Sequence, residues 1–390
     1  MTDAFAADIA RLRAAFFADP DAARTMLALL PVESFRVRLV AFAAARGIAL
    51  DPAALDKALF PSPLCLPNFA PADGLDWPPP GWLPTALNRF APEPVMEFSL
   101  LDGLDLAAPF YEDLLRAANF RPFNRLLRYR MRLADMLVAL PLAAPPAGFI
   151  FHLSRCGSTL VHRMIAASGT ALSFSEAAPF NEALQFCLTW SGPEPVKFQI
   201  LRATVAALGN IANGKPLVLK LDAWHIMAWP LLRAAFPATP FVFLYRAPLE
   251  VMVSQRRMRG FQAVPQPDFA ALFGIAGYQT LSLDAYCAHF LAASCRAAAE
   301  AVTAGAMIGV NYRDLPDAVF CRILPQFALE PGAQDLARMR ETARYNSKVP
   351  DTAHRPDAAE KQIEADEVLR ALSESIVGAS YRALEALAGV

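Results

Sequence analysis

Arg155, Gly157, Ser158 and Thr159 stand in the run FIFHLSRCGSTLVHRMI, residues 149–165, where an apolar segment passes through a short polar turn into a helix-like pattern. The chemistry such a run can do is anion binding. A strand that ends in a glycine turn brings the backbone close to a ligand. The first amides of the helix that follows lack intrahelical partners, and their dipole favours negative charge. Ser158 and Thr159 add hydroxyl donors, and Arg155 adds a permanent charge on a forked donor set. The Walker pattern GxxxxGK[ST] is not met. With Gly157 as its last glycine, Ser158 stands at the lysine position and His152 at the first glycine. The loop therefore suits a phosphate or sulfate ester without being that of an ordinary ATPase or GTPase.

Further charged residues sit at the ends of other short apolar runs. In PFVFLYRAPLEVMVSQRRMRG, residues 240–260, a strand over 241–245 would deliver Arg246 to a binding edge, and Pro248 suits the first turn of a helix. Arg256, Arg257 and Arg259 would thicken a positive patch there. Lys220 closes PLVLK, and a lysine in so apolar a run must face a pocket or a partner such as Asp222, because burial without one is costly. Glu176, in SFSEAAPF, reads either as a proton acceptor or as an acid favouring the N-terminus of the next helix. His225, in LDAWHIM, reads as a base or as a satisfied core histidine, and His152 as structural.

The elements that must position these residues follow from the pattern. GFIFHL (148–153), PLVLKL (216–221), PFVFLY (240–245) and AMIGVNY (306–312) are apolar, short and bounded by turn residues, as buried strands are. Leu172–Phe174 is a further short strand candidate. Segments 178–213 and 281–302 between them read as helices. Alternation of this kind predicts an α/β domain, a parallel sheet flanked by helices, with ligands at the C-terminal edge of the strands. Residues 3–58 and about 108–140 predict helices, and the proline-rich stretch 61–94 predicts extended, turn-rich chain that packs through Trp77 and Trp82. The expected division is a mainly helical region, 1–145, and the sheet domain, 146–390. The amphipathic segment 357–388 is expected to cover the sheet.

SRCGSTL resembles the first signature of the P-loop sulfotransferases, and PFVFLYRAPLEVMVSQRRMRG resembles their second. The resemblance spans roughly residues 146–350. It implies a P-loop NTPase-like fold of the sulfotransferase type and PAPS, 3′-phosphoadenosine-5′-phosphosulfate, as sulfuryl donor, with no metal. It assigns Arg155, Cys156, Gly157, Ser158, Thr159 and Leu160 to the donor's 5′ side. Arg246 and Ser254, eight residues apart, would hold the 3′-phosphate. Tyr312, in VNYRDLPDAVFCRILPQFAL, would lie near the nucleotide, and Ser347 and Lys348 would belong to a loop closing over it. Lys220 resembles a lysine placed near the transferred group. Glu176 resembles the glutamate base of the protein-tyrosine type, with His225 the other contender.

Bulk composition narrows the classes. Of 390 residues 55% are hydrophobic and 19% charged, enough for a large core. Lys and Arg number 36 against 37 acids, which speaks against nucleic acid as a partner. The six cysteines show no zinc-like spacing, and free thiols in a cytoplasmic protein are expected. Prolines 141, 145 and 146 interrupt the apolar run 136–153, so no membrane span is expected. The acceptor, a small molecule or a peptide, and the oligomeric state stay open. Two other readings remain at this level: a P-loop phosphotransferase or kinase using ATP and magnesium, with Asp222 as metal ligand, and a non-catalytic nucleotide-binding relative.

Overall fold

The computed structural model describes residues 3–60, 73–90, 93–142, 144–211, 214–345 and 357–388. Its contacts cluster into two compact units, residues 1–144 with 177–214, and residues 145–176 with 215–390. Residues 177–214 go with the N-terminal unit.

The N-terminal unit opens with helices Asp3–Ala18, Pro20–Leu27, Val32–Ala44 and Pro52–Leu59. Asp19 and Asp51 cap the second and fourth through their carboxylates, each followed by proline at the first helical position. The unit is less helical than its composition predicts. It contains an antiparallel sheet of β1 (Trp82–Asn88), β2 (Val95–Leu100) and β3 (Tyr129–Arg132). Pro84 is tolerated because β1 is an edge strand with an irregularity between Pro84 and Ala86. Trp82, Phe16, Phe35 and Phe123 pack as one aromatic group. Helices Ala178–Thr189 and Glu194–Leu208 complete the unit. Asn124 is fully buried and pins the unit's centre. It accepts from the Leu100 amide (3.1 Å) and donates to the Leu100 and Ala118 carbonyls (3.0 and 3.2 Å).

The second unit is built on five parallel strands, β4 (Gly148–His152), β5 (Leu172–Ser175), β6 (Leu217–Lys220), β7 (Phe241–Tyr245) and β8 (Ile308–Asn311). Their order is β5-β6-β4-β7-β8. The first strand in sequence is thus central, and successive strands go to one side of it and then to the other. In such sheets the crevice beside the central strand's C-terminal end is where ligands bind. β4, β6 and β7 read as near-continuous apolar sequence, as strands buried on both faces do. Ile150, Val218 and Leu244 point to a core shared with helix Ser158–Ser168 and with Met339 of helix Ala333–Ala343. Phe149 and Phe151 alternate to the other face, against Phe236 and Phe241. Each fully buried side chain of this kind contributes about 2–3 kcal/mol. The C-terminal segment forms helices Ala358–Glu364, Glu367–Leu372 and Gly378–Ala388, the last packed on β8 and on helix Leu283–Thr303. No helix among the described residues is long and apolar enough to cross a membrane.

Replacing Asn124 by alanine strands a buried amide and two carbonyls. The expected cost is about 2–3 kcal/mol, read as a lower urea midpoint, and an unchanged midpoint would show that Asn124 does not pin the unit.

Candidate functional site

β4 ends at His152, and the chain turns through residues 153–157 into helix Ser158–Ser168. Ser154 (φ 67°), Arg155 (φ 51°) and Gly157 (φ 83°) all lie in the left-handed region. For a residue with a Cβ this costs about 1–2 kcal/mol. Among the described residues four non-glycine positions have positive φ. Three of them, Ser154, Arg155 and Glu176, stand at this edge of the sheet. Strain gathered in one place and held there is a mark of a functional site.

The restraints on the loop are visible. The His152 ring accepts the Ser154 amide at Nδ1 (3.0 Å), and Nε2 donates to the Leu221 carbonyl (2.8 Å). One nitrogen accepts and the other donates, so the ring is neutral. Burial, helped by the charge of Lys220, pushes its pKa down to about 4, in agreement. His152 is therefore structural, as its sequence position suggested. Gln255, fully buried, donates to Ser154 Oγ (3.0 Å) and accepts from the Gly260 amide (2.8 Å). Gly157 is required twice over. Its φ suits glycine, and a Cβ there would meet Tyr312 Cδ2 at 2.8 Å and Leu315 Cδ1 at 2.9 Å.

The loop residues divide into those that can meet a ligand and those that cannot. Cys156 turns inward: its thiol donates to the Leu244 carbonyl (3.2 Å), and burial pushes it up to about 11. Leu160 gives its side chain to the core and its amide to the Gly157 carbonyl (3.0 Å), so it offers a ligand nothing polar. This corrects the expectation for Leu160, and limits that for Cys156 to its backbone. Ser158 and Thr159 open the helix. Arg155 donates from Nη2 to the Met258 carbonyl (2.6 Å), and no carboxylate among the described residues lies within ion-pair distance of it.

A second group gathers where β5 and β6 end. Lys220, 1% exposed, is paired in register with Ile150 and Ser175, and its ammonium is bonded to Glu176. The expected partner Asp222 is thus replaced by Glu176. The Glu176 amide continues the ladder to the Lys220 carbonyl (2.7 Å), and His152 Nε2 is 3.6 Å from the carboxylate. Burial would raise the Glu176 pKa, but the Lys220 charge and His152 outweigh it and hold it below the usual carboxylate range. Asp222 goes the other way, pushed up to about 7 by burial and by the charge of Glu176, against the pull of Lys220. His225 is 1% exposed, accepts the Asp222 amide at Nδ1 (3.3 Å) and packs edge-on to Trp224 (4.2 Å). Burial is the main cause that lowers it, to about 3. It is a satisfied core histidine and a poor proton acceptor.

The third group follows β7. Arg246, 4% exposed, donates from Nε to Glu250 (2.6 Å) and from Nη2 to Asp357 (2.5 Å). Its guanidinium lies over the Tyr312 ring, 4.0 Å from the centroid. Arg246 stands between β7 and helix Pro248–Arg257, Glu250 and Ser254 follow at four-residue steps within that helix, and the Ser254 hydroxyl donates to the Glu250 carbonyl (2.9 Å). The expected free positive patch is not free. Arg256 pairs with Asp284 and Asp366 (both 2.7 Å), Arg259 with Asp284, and Arg257 with Glu360 and Glu364. Ser347 and Lys348 lie outside the described residues. Sequence reasoning missed Gln255 and Asp357, whose partners are about 100 residues away in the chain and leave no local trace. It also took Asp222 only as a counter-ion or metal ligand.

No protein-family model matches the chain, and no curated protein does. Among solved structures, the chain is similar to the sulfotransferase domain from the Synechococcus PCC 7002 olefin synthase, at 16% identity over 64% of this chain and 97% of that one, with a TM-score of 0.35. It is likewise similar to the sulfotransferase domain from the curacin biosynthetic pathway, at 14% identity over 62% and 97%, with a TM-score of 0.38. The sulfotransferase STF9 from Mycobacterium avium matches at 12% identity over 60% and 76%, with a TM-score of 0.37.

Gly157 and Gly169 share a positive φ, but only Gly157 faces a wall closer than 3 Å. Gly169→Ala should cost about 1–2 kcal/mol, the backbone penalty alone. Gly157→Ala should cost clearly more in the same thermal-unfolding experiment. Equal losses would mean that Tyr312 and Leu315 yield freely.

Proposed function

We propose that the chain is a sulfotransferase that moves the sulfuryl group of PAPS to a hydroxyl or amine acceptor. The observation that carries the reading is the Tyr312 side chain. Its ring stands against Gly157 of the loop after β4, and the Arg246 guanidinium after β7 lies over it. A cationic loop and a buried arginine therefore share one aromatic wall at the ends of two neighbouring strands. Two cationic groups on one aromatic wall suit a single nucleotide with phosphates at both ends. Arg155 and Arg246 also engage the same segment, Arg155 at the Met258 carbonyl and Arg246 at Glu250 in the first helical turn.

In this reading the loop amides, Ser158, Thr159 and Arg155 receive the 5′ end and stabilise the leaving phosphate, where charge builds as the sulfur–oxygen bond breaks. Arg246 and Ser254 receive the 3′-phosphate. Lys220 supplies positive charge beside the reacting group, fixed by Glu176. Sulfuryl transfer asks mostly for in-line placement and electrostatics, as phosphoryl transfer does. The ATP–magnesium reading is less well supported. The loop has no lysine, and a partly buried Asp222 with raised proton affinity is a weak magnesium ligand.

Asp357 bears directly on the test. Its carboxylate occupies Arg246 in the manner of a phosphate oxygen, and Lys361 holds it from behind (2.6 Å). Nucleotide binding must then displace a carboxylate. Burial would raise Asp357, but Lys361 and Arg246 outweigh that and lower its pKa. The carboxylate thus stays charged through the neutral range and competes throughout it.

Calorimetric titration with the desulfated nucleotide PAP is expected to show affinity at least about tenfold above that for AMP, the worth of one or two charge-assisted bonds. Arg246→Ala should erase that preference. Equal affinity of the wild-type protein for PAP and AMP would remove the reason for naming this donor. Asp357→Asn, which frees Arg246 while keeping its shape, should tighten PAP several-fold and leave AMP unchanged. Weaker PAP binding by this variant would show that Asp357 helps to build the phosphate site.

A further inference from the structure

Five titratable side chains meet at the ends of β4, β5 and β6: His152, Glu176, Lys220, Asp222 and His225. The structure gives each a different task. His152 spends both ring nitrogens on the loop and on Leu221. Lys220 and Glu176 neutralise one another. His225 is closed off beneath Trp224 with one ring nitrogen on the Asp222 amide. Asp222 remains.

We propose that Asp222 is the proton acceptor of this site, taking the proton from the acceptor's hydroxyl or amine as that group attacks sulfur. The proposal rests on the sulfuryl-transfer reading above. The step balances simply. A lone pair of the acceptor oxygen or nitrogen forms the new bond to sulfur. The bond from sulfur to the 5′-phosphate oxygen breaks, and its electron pair stays on the leaving phosphate. The acceptor's proton moves to the Asp222 carboxylate and is later lost to solvent.

Position comes first in the argument. Asp222 is the second residue after Lys220 and lies just past the sheet. Leu221 between them is clamped on both sides, its amide to the Ile150 carbonyl (2.9 Å) and its carbonyl to His152 Nε2 (2.8 Å). The Asp222 backbone is thus rigidly placed at the edge where the loop, Glu176 and Lys220 converge. Its amide is held by His225 Nδ1 (3.3 Å) and its carbonyl by the His225 amide (3.0 Å), and its carboxylate lies 3.9 Å from His225 Nε2 and is 17% exposed, so the residue is placed at the start of the turn Ala223–Ala228 with its side chain reachable. Helix Leu283–Thr303 packs on the same turn, and its first-turn acid, Asp284, is already taken by Arg256 and Arg259.

Proton affinity separates the two carboxylates. A general base works best when its pKa lies near the working pH. Glu176, held low by Lys220 and His152, is a weak base, while burial, with the charge of Glu176 added to it, raises Asp222 to about 7. Two neighbouring acids pushed apart in this way divide the labour between charge and proton transfer. Glu176, expected from the resemblance to be the base, becomes the counter-ion that sets the base.

The test uses Asp222→Asn, because asparagine keeps the shape of aspartate and leaves the backbone bonds to His225 in place, so it should spare the fold. With labelled PAPS and a phenol or aliphatic alcohol, the variant should lose about 10²- to 10⁴-fold in kcat, with PAP affinity within twofold of wild type. In the wild-type protein, activity should rise with pH through about 7, as the carboxyl deprotonates. Glu176→Gln removes the charge that adds to burial in raising Asp222, so this rise should move to lower pH, an effect a merely structural residue would not produce. Carbon-13 carboxyl NMR gives a readout that needs no acceptor. A carboxyl titrating near neutrality should be present in the wild type and missing from Asp222→Asn. Retained kcat in that variant, or no carboxyl titrating above the ordinary range, overturns the proposal. Failure of the wild-type protein to prefer PAP over AMP would instead sink the reading on which it rests.

Discussion

A lysine ammonium at the end of a buried parallel strand is the constraint from which this site follows. Lys220 is 1% exposed and flanked in register by β4 and β5. Removing one partner of such a pair costs about 3–5 kcal/mol, because the other charge is left without solvent or partner. The chain meets that demand with Glu176, and to bring its carboxylate there the backbone takes a left-handed turn one residue past β5. The pair then acts on its surroundings. Lys220 adds to burial in keeping His152 neutral, so that the ring can hold the loop, and Glu176 adds to burial in raising the proton affinity of Asp222.

The loop after β4 is held by the same logic of satisfied groups. Ser154 and Arg155 would relax out of the left-handed region if nothing held them. The His152 ring takes the Ser154 amide, Gln255 takes its hydroxyl, and Cys156 pegs the turn to β7 through the Leu244 carbonyl. Three elements therefore fix five residues before any ligand arrives. Preorganisation of this kind lowers the cost of binding an anion, since the donors need not be reordered.

Much of this frame was legible in the chain. Short apolar runs bounded by turn residues marked four of the five parallel strands, because strands buried on both faces need little polar alternation, and β5, Leu-Ser-Phe-Ser, was legible only as a short candidate. Arg155, Gly157, Lys220 and Arg246 could be placed at strand ends for the same reason. The antiparallel sheet of the N-terminal unit was not legible. Pro84 and the flanking prolines disguise β1, and the basic run Tyr129–Arg132 continues directly into a helix, which hides β3. Ion-pair partners were the least visible. Glu176 is 44 residues from Lys220 and Asp357 is 111 from Arg246, and no local pattern encodes a contact at that range.

The acids after residue 356 give those distant pairs a common sense. Asp357 meets Arg246 just before helix Pro248–Arg257, and Glu360, Glu364 and Asp366 meet Arg257 and Arg256 in its last turn. Most of these pairs are solvent-exposed, and exposed pairs contribute about 0–1 kcal/mol each. Arg246 is different, because it is 4% exposed and stacked on Tyr312. A buried guanidinium without an anion would be costly, and Glu250 and Asp357 together supply the negative charge. The Asp357 carboxylate, which stabilises the unliganded fold, is thereby a competitor for whatever anion Arg246 receives, so affinity at this edge of the sheet is set by a difference between two anions and not by the arginine alone.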